Sequence, residues 1–472
     1  MKLFRSFLPV IAISLVFAAM QILPDATVAI AQKEEAPEPA PADGEKPADP
    51  ENKKFTATPT DGYKARLDTK SANAKNIKAA LEWLKDHQHE GGGWRAQKYK
   101  EDSSRIGSKS TNNIEMLNVG ELDGDIGWKD DVDIGLTGLA LLAFAGDGHD
   151  HYHGEYTDTV RSAVKFLLLL QTENGCIGPM KDDHAVYSHA IATMALAEIY
   201  GMTQDPDLKP AVENAVQFIL SARNSGAGWR YGVKSGQNDS SITGWMVLSL
   251  KSAMLAGIEF EHKEVFNDTE KLFVALSKVV DNNPPAKKKK VPGEEEPAKK
   301  KHKPDMKLRV GYKTAGSHNA RLRNALMFKT NWTLEAVYVY SLLAMDKRKN
   351  TSKDIKKLTG YFTDKSELPV WELNKIDYYC WYYTALATYQ VGGKYWTAWK
   401  KKSLKLLKTH QRGFHKLDKK EKLTTKEMLD EHGSWDPLGP WADAGGRVYS
   451  TAINCLTLEI DKRYPRAKKK KK

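Results

Sequence analysis

The sequence predicts an all-α fold, an α/α toroid built as a double ring of about six helical hairpins. Three observations predict it: an amphipathic helical pattern that recurs along the chain, a shared way of ending each of those helices, and a second kind of helix that is apolar nearly all round. Strand signals are nearly absent.

The amphipathic pattern comes first. Val160, Ala163, Val164, Leu167 and Leu168 fall at i, i+3, i+4, i+7 and i+8, one face of a helix. Val212, Ala215, Val216, Ile219 and Leu220 repeat it roughly fifty residues later, a period in the range of helical-pair repeats. Ile77, Ala80, Leu81 and Leu84 begin an earlier copy. Segments 269–280 and 352–362 supply the fourth and fifth outer helices and are the least regular.

The endings repeat as well. Leu84 leads to Gln88, Gly91 to Gly93 and Trp94; Leu168 leads to Gln171 and Gly175. Leu220 leads to Gly226, Gly228 and Trp229, and Leu407 to Gln411 and, after an insertion, Gly433, Ser434 and Trp435. A glycine just past a helix takes the left-handed conformation that closes its C-terminus. A Gln amide there can bond orphan backbone groups, and a Trp ring can pack over the end.

The second kind of helix follows each turn, at 133–145, 185–200, 241–256, 332–345, 378–391 and 447–460. These segments are rich in Ala, Gly, Ser and Thr. A helix apolar on every face is buried, and small residues let neighbours approach closely. Gly146, Gly201, Gly257 and Gly392 follow four of them. Amphipathic helices outside and buried helices inside make the double ring.

The ends of the chain read differently. Lys2 and Arg5, an apolar run from Phe7 to Leu23 and the small residues Ala29 and Ala31 predict a signal peptide over 1–31, hence a secreted or periplasmic protein. A Pro/Ala/Glu/Lys linker over 32–70 has too little apolar surface to order itself. The toroid spans 71–466, with a charged insertion near 284–306, and 467–472 is a polybasic tail. No transmembrane segment is expected once the signal is removed. Lysine runs account for much of the net charge of +12. No basic stripe with interleaved aromatics appears on a predicted element, so no nucleic-acid partner is expected. Cys176, Cys380 and Cys455 are too few, and odd in number, for a disulfide scaffold.

The endings written out, Gln88-His-Glu-Gly-Gly-Gly-Trp94 and Gly226-Ala-Gly-Trp-Arg-Tyr-Gly232, resemble the repeat of squalene/hopene cyclases and protein prenyltransferase β subunits. The resemblance covers about 75–464. The closing stretch, Gly433-Ser-Trp-Asp-Pro437 with Gly445-Gly-Arg-Val-Tyr-Ser-Thr451, resembles exported bacterial members of that family. The resemblance implies a toroid whose inner-helix N-termini converge on one mouth, and an apolar or isoprenoid-like ligand bound there.

The family's chemistry is incomplete in the residues. A cyclase needs a buried carboxylic acid held neutral, on a D-x-D-D motif; Asp130-Asp131-Val132-Asp133 has another order, and Asp before an apolar helix also caps it. A prenyltransferase zinc site needs Asp, Cys and His; Asp377 and Cys380 have the wrong spacing, and Arg447 and Tyr449 stand where a His would follow. No metal and no cofactor are expected. The thioester motif found elsewhere on this architecture is also missing. His149, His151 and His153 read as solvated loop residues.

The catalytic candidates are therefore Asp131, Asp133, His184, His189 and Asp377. The ligand-binding candidates at the mouth are Tyr187, Asp239, Trp245, Trp332, Glu335, Tyr378, Trp435, Asp436, Arg447 and Tyr449. The expected partner is a small-molecule or lipid-like ligand. Two other readings stand beside it. One is a glycan-processing enzyme, lyase or glycosidase, because the mouth collects carboxylates, histidines and exposed Trp. The other is a non-catalytic interaction module.

Overall fold

The computed structural model describes residues 63, 71–105, 131–180, 184–282, 303–317, 332–414 and 430–464. The predicted signal peptide, all of the linker but Tyr63, most of the 284–306 insertion and the basic tail lie outside them.

Outer and inner helices alternate along the chain. In order they are α1 (Ala74–Asp86), α2 (Asp133–Asp147), α3 (Thr157–Leu169), α4 (Ala185–Thr203), α5 (Lys209–Ala222), α6 (Ser240–Leu255) and α7 (Lys263–Ala275). A hairpin of β1 (Ser277–Asp281) and β2 (Met306–Val310) follows, then α8 (Thr333–Ala344), α9 (Lys353–Phe362), α10 (Tyr378–Val391), α11 (Gly393–Thr409), α12 (Ala442–Leu458) and the short α13 (Ile460–Arg463). Odd-numbered helices through α11 lie outside and bury one stripe, such as Ile77, Ala80, Leu81 and Leu84 of α1. Even-numbered helices lie inside; in α4 every residue except Tyr187 is buried. Each inner helix packs on the next, and α12 packs on α2, so the inner ring is closed. Small residues permit this: a Cβ on Gly138 of α2 would stand 2.9 Å from the backbone nitrogen of Ala192 in α4. Among the described residues, no helix is long and apolar enough to cross a membrane.

The shared endings are the joints of the outer ring. The Gln88 amide donates to Gly92 O at 2.7 Å and to Thr159 O of α3 at 2.9 Å. Gln171 donates to Gly175 O at 3.1 Å and to Ala211 O of α5 at 2.9 Å. Gln411 donates to Gly433 O at 2.7 Å and to Asn76 O of α1 at 2.9 Å, which joins the last turn to the first helix. In the third copy Arg223 replaces Gln and bonds Asp268 and Glu264 of α7. The turn glycines sit against the next outer helix: at Gly433 (φ +96°) a Cβ would lie 2.1 Å from Ala79 O. Glycine is required there both by its positive φ and by that approach.

Tryptophan locks each joint to its own hairpin. The indole N–H of Trp94, Trp229 and Trp435 donates to Leu84 O, Ile219 O and Leu407 O at 2.7, 2.7 and 2.8 Å. Their backbone N–H groups donate to the hydroxyls of Thr137, Thr243 and Thr451 on α2, α6 and α12. All three rings are fully buried. Each therefore removes a large apolar area from water and bonds a carbonyl in the last turn of its helix.

One sequence expectation is corrected here. The fourth outer helix ends at Ala275, and β1 occupies most of the rest of 269–280. β-branched Val279 and Val280 pair with Leu308 and Lys307 of β2, so the base of the insertion is a two-stranded stem. The sixth inner helix proper starts where the sequence places it, after a kink at Gly446 (φ 62°) that separates it from the turn at 442–445.

Candidate functional site

The N-terminal halves of five of the inner helices, all but α8, surround an apolar cleft. Leu136 and Leu139 come from α2, His184, Tyr187 and Ile191 from the start of α4, and Trp245 from α6. Tyr379 comes from α10, and Trp441 and Tyr449 from the turn into α12 and its first residues. The aromatic side chains support one another: Trp441 lies 6.2 Å from both Tyr187 and Tyr379, and Trp245 stacks toward Tyr382 at 6.1 Å.

Polar groups are few and connected. His184 Nδ1 meets Asp131 Oδ2 at 3.1 Å on the partly exposed rim. Tyr187 OH donates to Ser241 Oγ at 2.5 Å, and Ser241 Oγ pairs with Tyr379 OH at 2.8 Å. Beside His184, Tyr231 OH pairs with Tyr312 OH at 2.5 Å. Burial pushes the Tyr187, Tyr312 and Tyr379 hydroxyls well above their usual range, so all three stay protonated and able to donate.

Asp239 lies behind these tyrosines. Its Oδ1 caps α6 by accepting from Ile242 N at 2.9 Å. Burial outweighs this hydrogen bond, one from Tyr312 and the attraction of Arg230, and raises the carboxyl to about 6. Unfolded, the group would ionise near the ordinary Asp value. The folded state then holds more protons between about pH 4 and 6, so this group's contribution to stability falls as pH rises through that window. Asp239→Asn keeps the cap and removes the ionisation. The stability difference between variant and wild type, read by urea unfolding, should shift in favour of the variant from pH 4 to pH 7. A difference that does not change with pH would contradict the assignment.

The sequence-predicted residues divide sharply. His184, Tyr187, Trp245 and Tyr449 line the cleft, and Asp131 joins it through His184. The others hold the frame. Asp133 accepts from Ala96 N at 2.8 Å and Asp377 from Cys380 N at 2.9 Å. Tyr378 OH donates to Asp436 O at 3.2 Å. Asp436 accepts from Arg412 and Arg447 at 2.7 and 2.9 Å; burial raises its carboxyl, but the two guanidiniums hold it below the usual range. Glu335 accepts from Arg309 Nε and Val310 N, both at 2.8 Å, and Trp332 donates to Glu367 at 2.8 Å. Trp435 is the joint described above.

His189 has a structural explanation. It is fully buried, its Nδ1 accepts from Ile177 N at 3.0 Å and its Nε2 donates to Ala215 O at 3.1 Å. It thus takes the place that Thr137, Thr243 and Thr451 hold in the other copies, and Ile177 stands where they have Trp. Burial lowers its imidazole to about 3, so it stays neutral. His149, His151 and His153 do not converge: they pair with Asp147, Asp205 and Asp150 respectively.

Sequence reasoning missed Tyr379, Trp441, Tyr231 and Tyr312. Tyr379 is adjacent to the candidate Tyr378, and only the rotation of α10 decides which of the two faces inward. Trp441 carried a signal, a large aromatic residue four positions before the pair Gly445 and Gly446.

No family model and no curated protein matches this chain. Among solved structures it is similar to an α-amylase from Clostridium perfringens, at 12% identity, covering 82% of this chain and 97% of that one, with a TM-score of 0.47. It is also similar to an inactive variant of the α-1,6-mannanase GH76A of Salegentibacter sp. in complex with α-1,6-mannotriose, at 9% identity, 82% and 98% coverage and a TM-score of 0.47. A third, a protein from Actinoplanes, aligns at 14% identity, 82% and 99% coverage and a TM-score of 0.40. The expected membership of the prenyltransferase/squalene-cyclase family, and with it the isoprenoid-like ligand, is corrected: no family model matches the chain, and Asp131 and Asp133 are engaged with His184 and Ala96 rather than forming the acid a cyclase requires.

Proposed function

We propose that the mouth of the ring binds and processes a glycan outside the cytoplasm. The observation that carries this reading is the Asp131–His184 pair standing at the rim of a cleft walled by Tyr187, Trp245, Tyr379, Trp441 and Tyr449. Aromatic faces stack on the C–H faces of sugar rings, and the protonated tyrosine hydroxyls hydrogen-bond sugar oxygens. With Nδ1 engaged by a carboxylate, His184 exchanges protons through Nε2, and Asp131 fixes its orientation. That arrangement serves a general base or acid. The predicted signal peptide supports an extracytoplasmic place of action.

The test is a panel of neutral and uronate-containing polysaccharides incubated with the purified protein. New reducing ends would mark a hydrolase; reducing ends together with an unsaturated, ultraviolet-absorbing sugar would mark a lyase. On the polysaccharide that is cut, Asp131→Asn and His184→Asn should each lower kcat by about 100-fold or more, the scale of acid–base catalysis. Cleavage that survives both substitutions would remove the pair from the reaction. Failure to cut or bind any member of the panel would overturn the reading.

A further inference from the structure

A second polar concavity lies on the outside of the ring, where its two ends meet. Helix α11 (GKYWTAWKKKSLKLLKT) carries six lysines and no carboxylate. Its apolar residues Trp396, Trp399, Leu404 and Leu407 face the core, so its outer face is cationic. Across the seam stands the N-terminal turn of α1. Between them runs a groove of about 570 Å³, lined by Lys401, Lys405 and Lys408, the amides Asn73 and Asn76, and Phe414. It continues past Phe414 into a second concavity of about 520 Å³, reached by Lys75, whose ammonium lies 5.4 Å from the Phe414 ring.

Lys400 of this helix is neutralised by Asp461 at 3.0 Å. Among the described residues, no ion pair engages Lys401, Lys405 or Lys408. They follow one another at i, i+4 and i+7, hence on one face, about 6 and 10.5 Å along the axis from the first. Like charges placed so closely repel one another and are relieved by an anionic ligand with repeated charges.

We propose that this seam groove is a binding site for an acidic polysaccharide, a chain with one carboxylate on each sugar. The repeat of charge along such a chain is close to one helical turn, so successive carboxylates meet successive lysines. Phe414 offers an aromatic surface to a sugar ring, and Asn73 and Asn76 line the same wall. Two other polyanions fit less well. No large apolar side chain of α11 is exposed to enter a lipid surface. A nucleic-acid strand would call for several stacking rings, and the groove has one. The site is separate from the mouth and does not depend on the activity proposed there.

The test uses the full chain and its Lys401→Glu, Lys405→Glu, Lys408→Glu triple variant, titrated with polygalacturonate at low salt. Wild type should bind, the variant should bind at least tenfold more weakly, and raising the salt to 0.3 M should abolish the difference. The two proteins should melt alike, because these side chains are at the surface. The basic tail and insertion are present in both, so the difference reports the groove alone. Wild type and the triple variant share an unaltered mouth, so the difference between them reads the groove whether or not the mouth acts on glycans, which separates a failure of this site from a failure of the mouth. Equal binding by wild type and variant, or no binding by either, would overturn the proposal. So would tighter wild-type binding to anionic-lipid vesicles or to a single-stranded oligonucleotide than to polygalacturonate.

Discussion

Replacing Glu335 by alanine should lower the stability of the ring by about 3–5 kcal/mol, the cost of breaking a buried ion pair from one side. Glu335 is 1% exposed, and one of its oxygens accepts both Arg309 Nε and Val310 N at 2.8 Å. Arg309 is 4% exposed, lies 4.4 Å over the Trp332 ring and reaches Asn282 through a second nitrogen. Without the carboxylate, a guanidinium and a backbone N–H lose their principal acceptor in a place water barely reaches. Arg309→Met in the Glu335→Ala background should recover most of the loss, because it removes the stranded charge and retains the packing on Trp332. Urea unfolding of the four members of the cycle measures this. A loss below 1 kcal/mol, or a double variant no better than the single, would show that the stem of the hairpin is held by something else.

Trp435→Ala should cost about 3–5 kcal/mol, on the scale of large-to-small substitutions in cores. The ring is fully buried, its indole N–H bonds Leu407 O, and its backbone N–H meets Thr451. It also anchors the turn from which Gln411 and Gly433 reach α1, so a cavity here loosens the closure of the whole toroid. Trp441→Ala provides the contrast. That side chain is only half-buried, at the mouth, and its removal should change stability by under about 1 kcal/mol while weakening ligand binding. Equal losses of melting temperature in the two variants would contradict the division between joint and cleft.

Much of the frame was legible in the residues because a repeat states its rule several times. The Gln, Gly and Trp endings predicted turns, and each turn proved to bond its own helix and its neighbour. The fourth outer unit was misread beyond Ala275 because an apolar run of helical length fits a strand equally well when its partner lies some thirty residues away in the chain. The candidate site was legible only in part. Asp239 and Asp377 each precede an inner helix, where a carboxylate is as useful for capping as for chemistry, and each caps it; Asp133, the first residue of α2, instead accepts from Ala96 N. His189 looked equivalent to His184 because the two are five residues apart at one helix start. Five residues turn a helix by more than a full revolution, and that difference sends His184 to the rim and His189 into the wall.

By itself the sequence determined the all-α ring, its alternation of outer and inner helices, and the joints between them, because these follow from periodicity and from what a helix end requires locally. Only the tertiary structure decided which side chains meet at the mouth. Asp131 and His184 are more than fifty residues apart, and Ser241 and Tyr379 more than a hundred; their contacts depend on the rotation of each inner helix about its axis. That rotation is set by close packing among small residues, such as Gly138 against Ala192, and no local pattern records it.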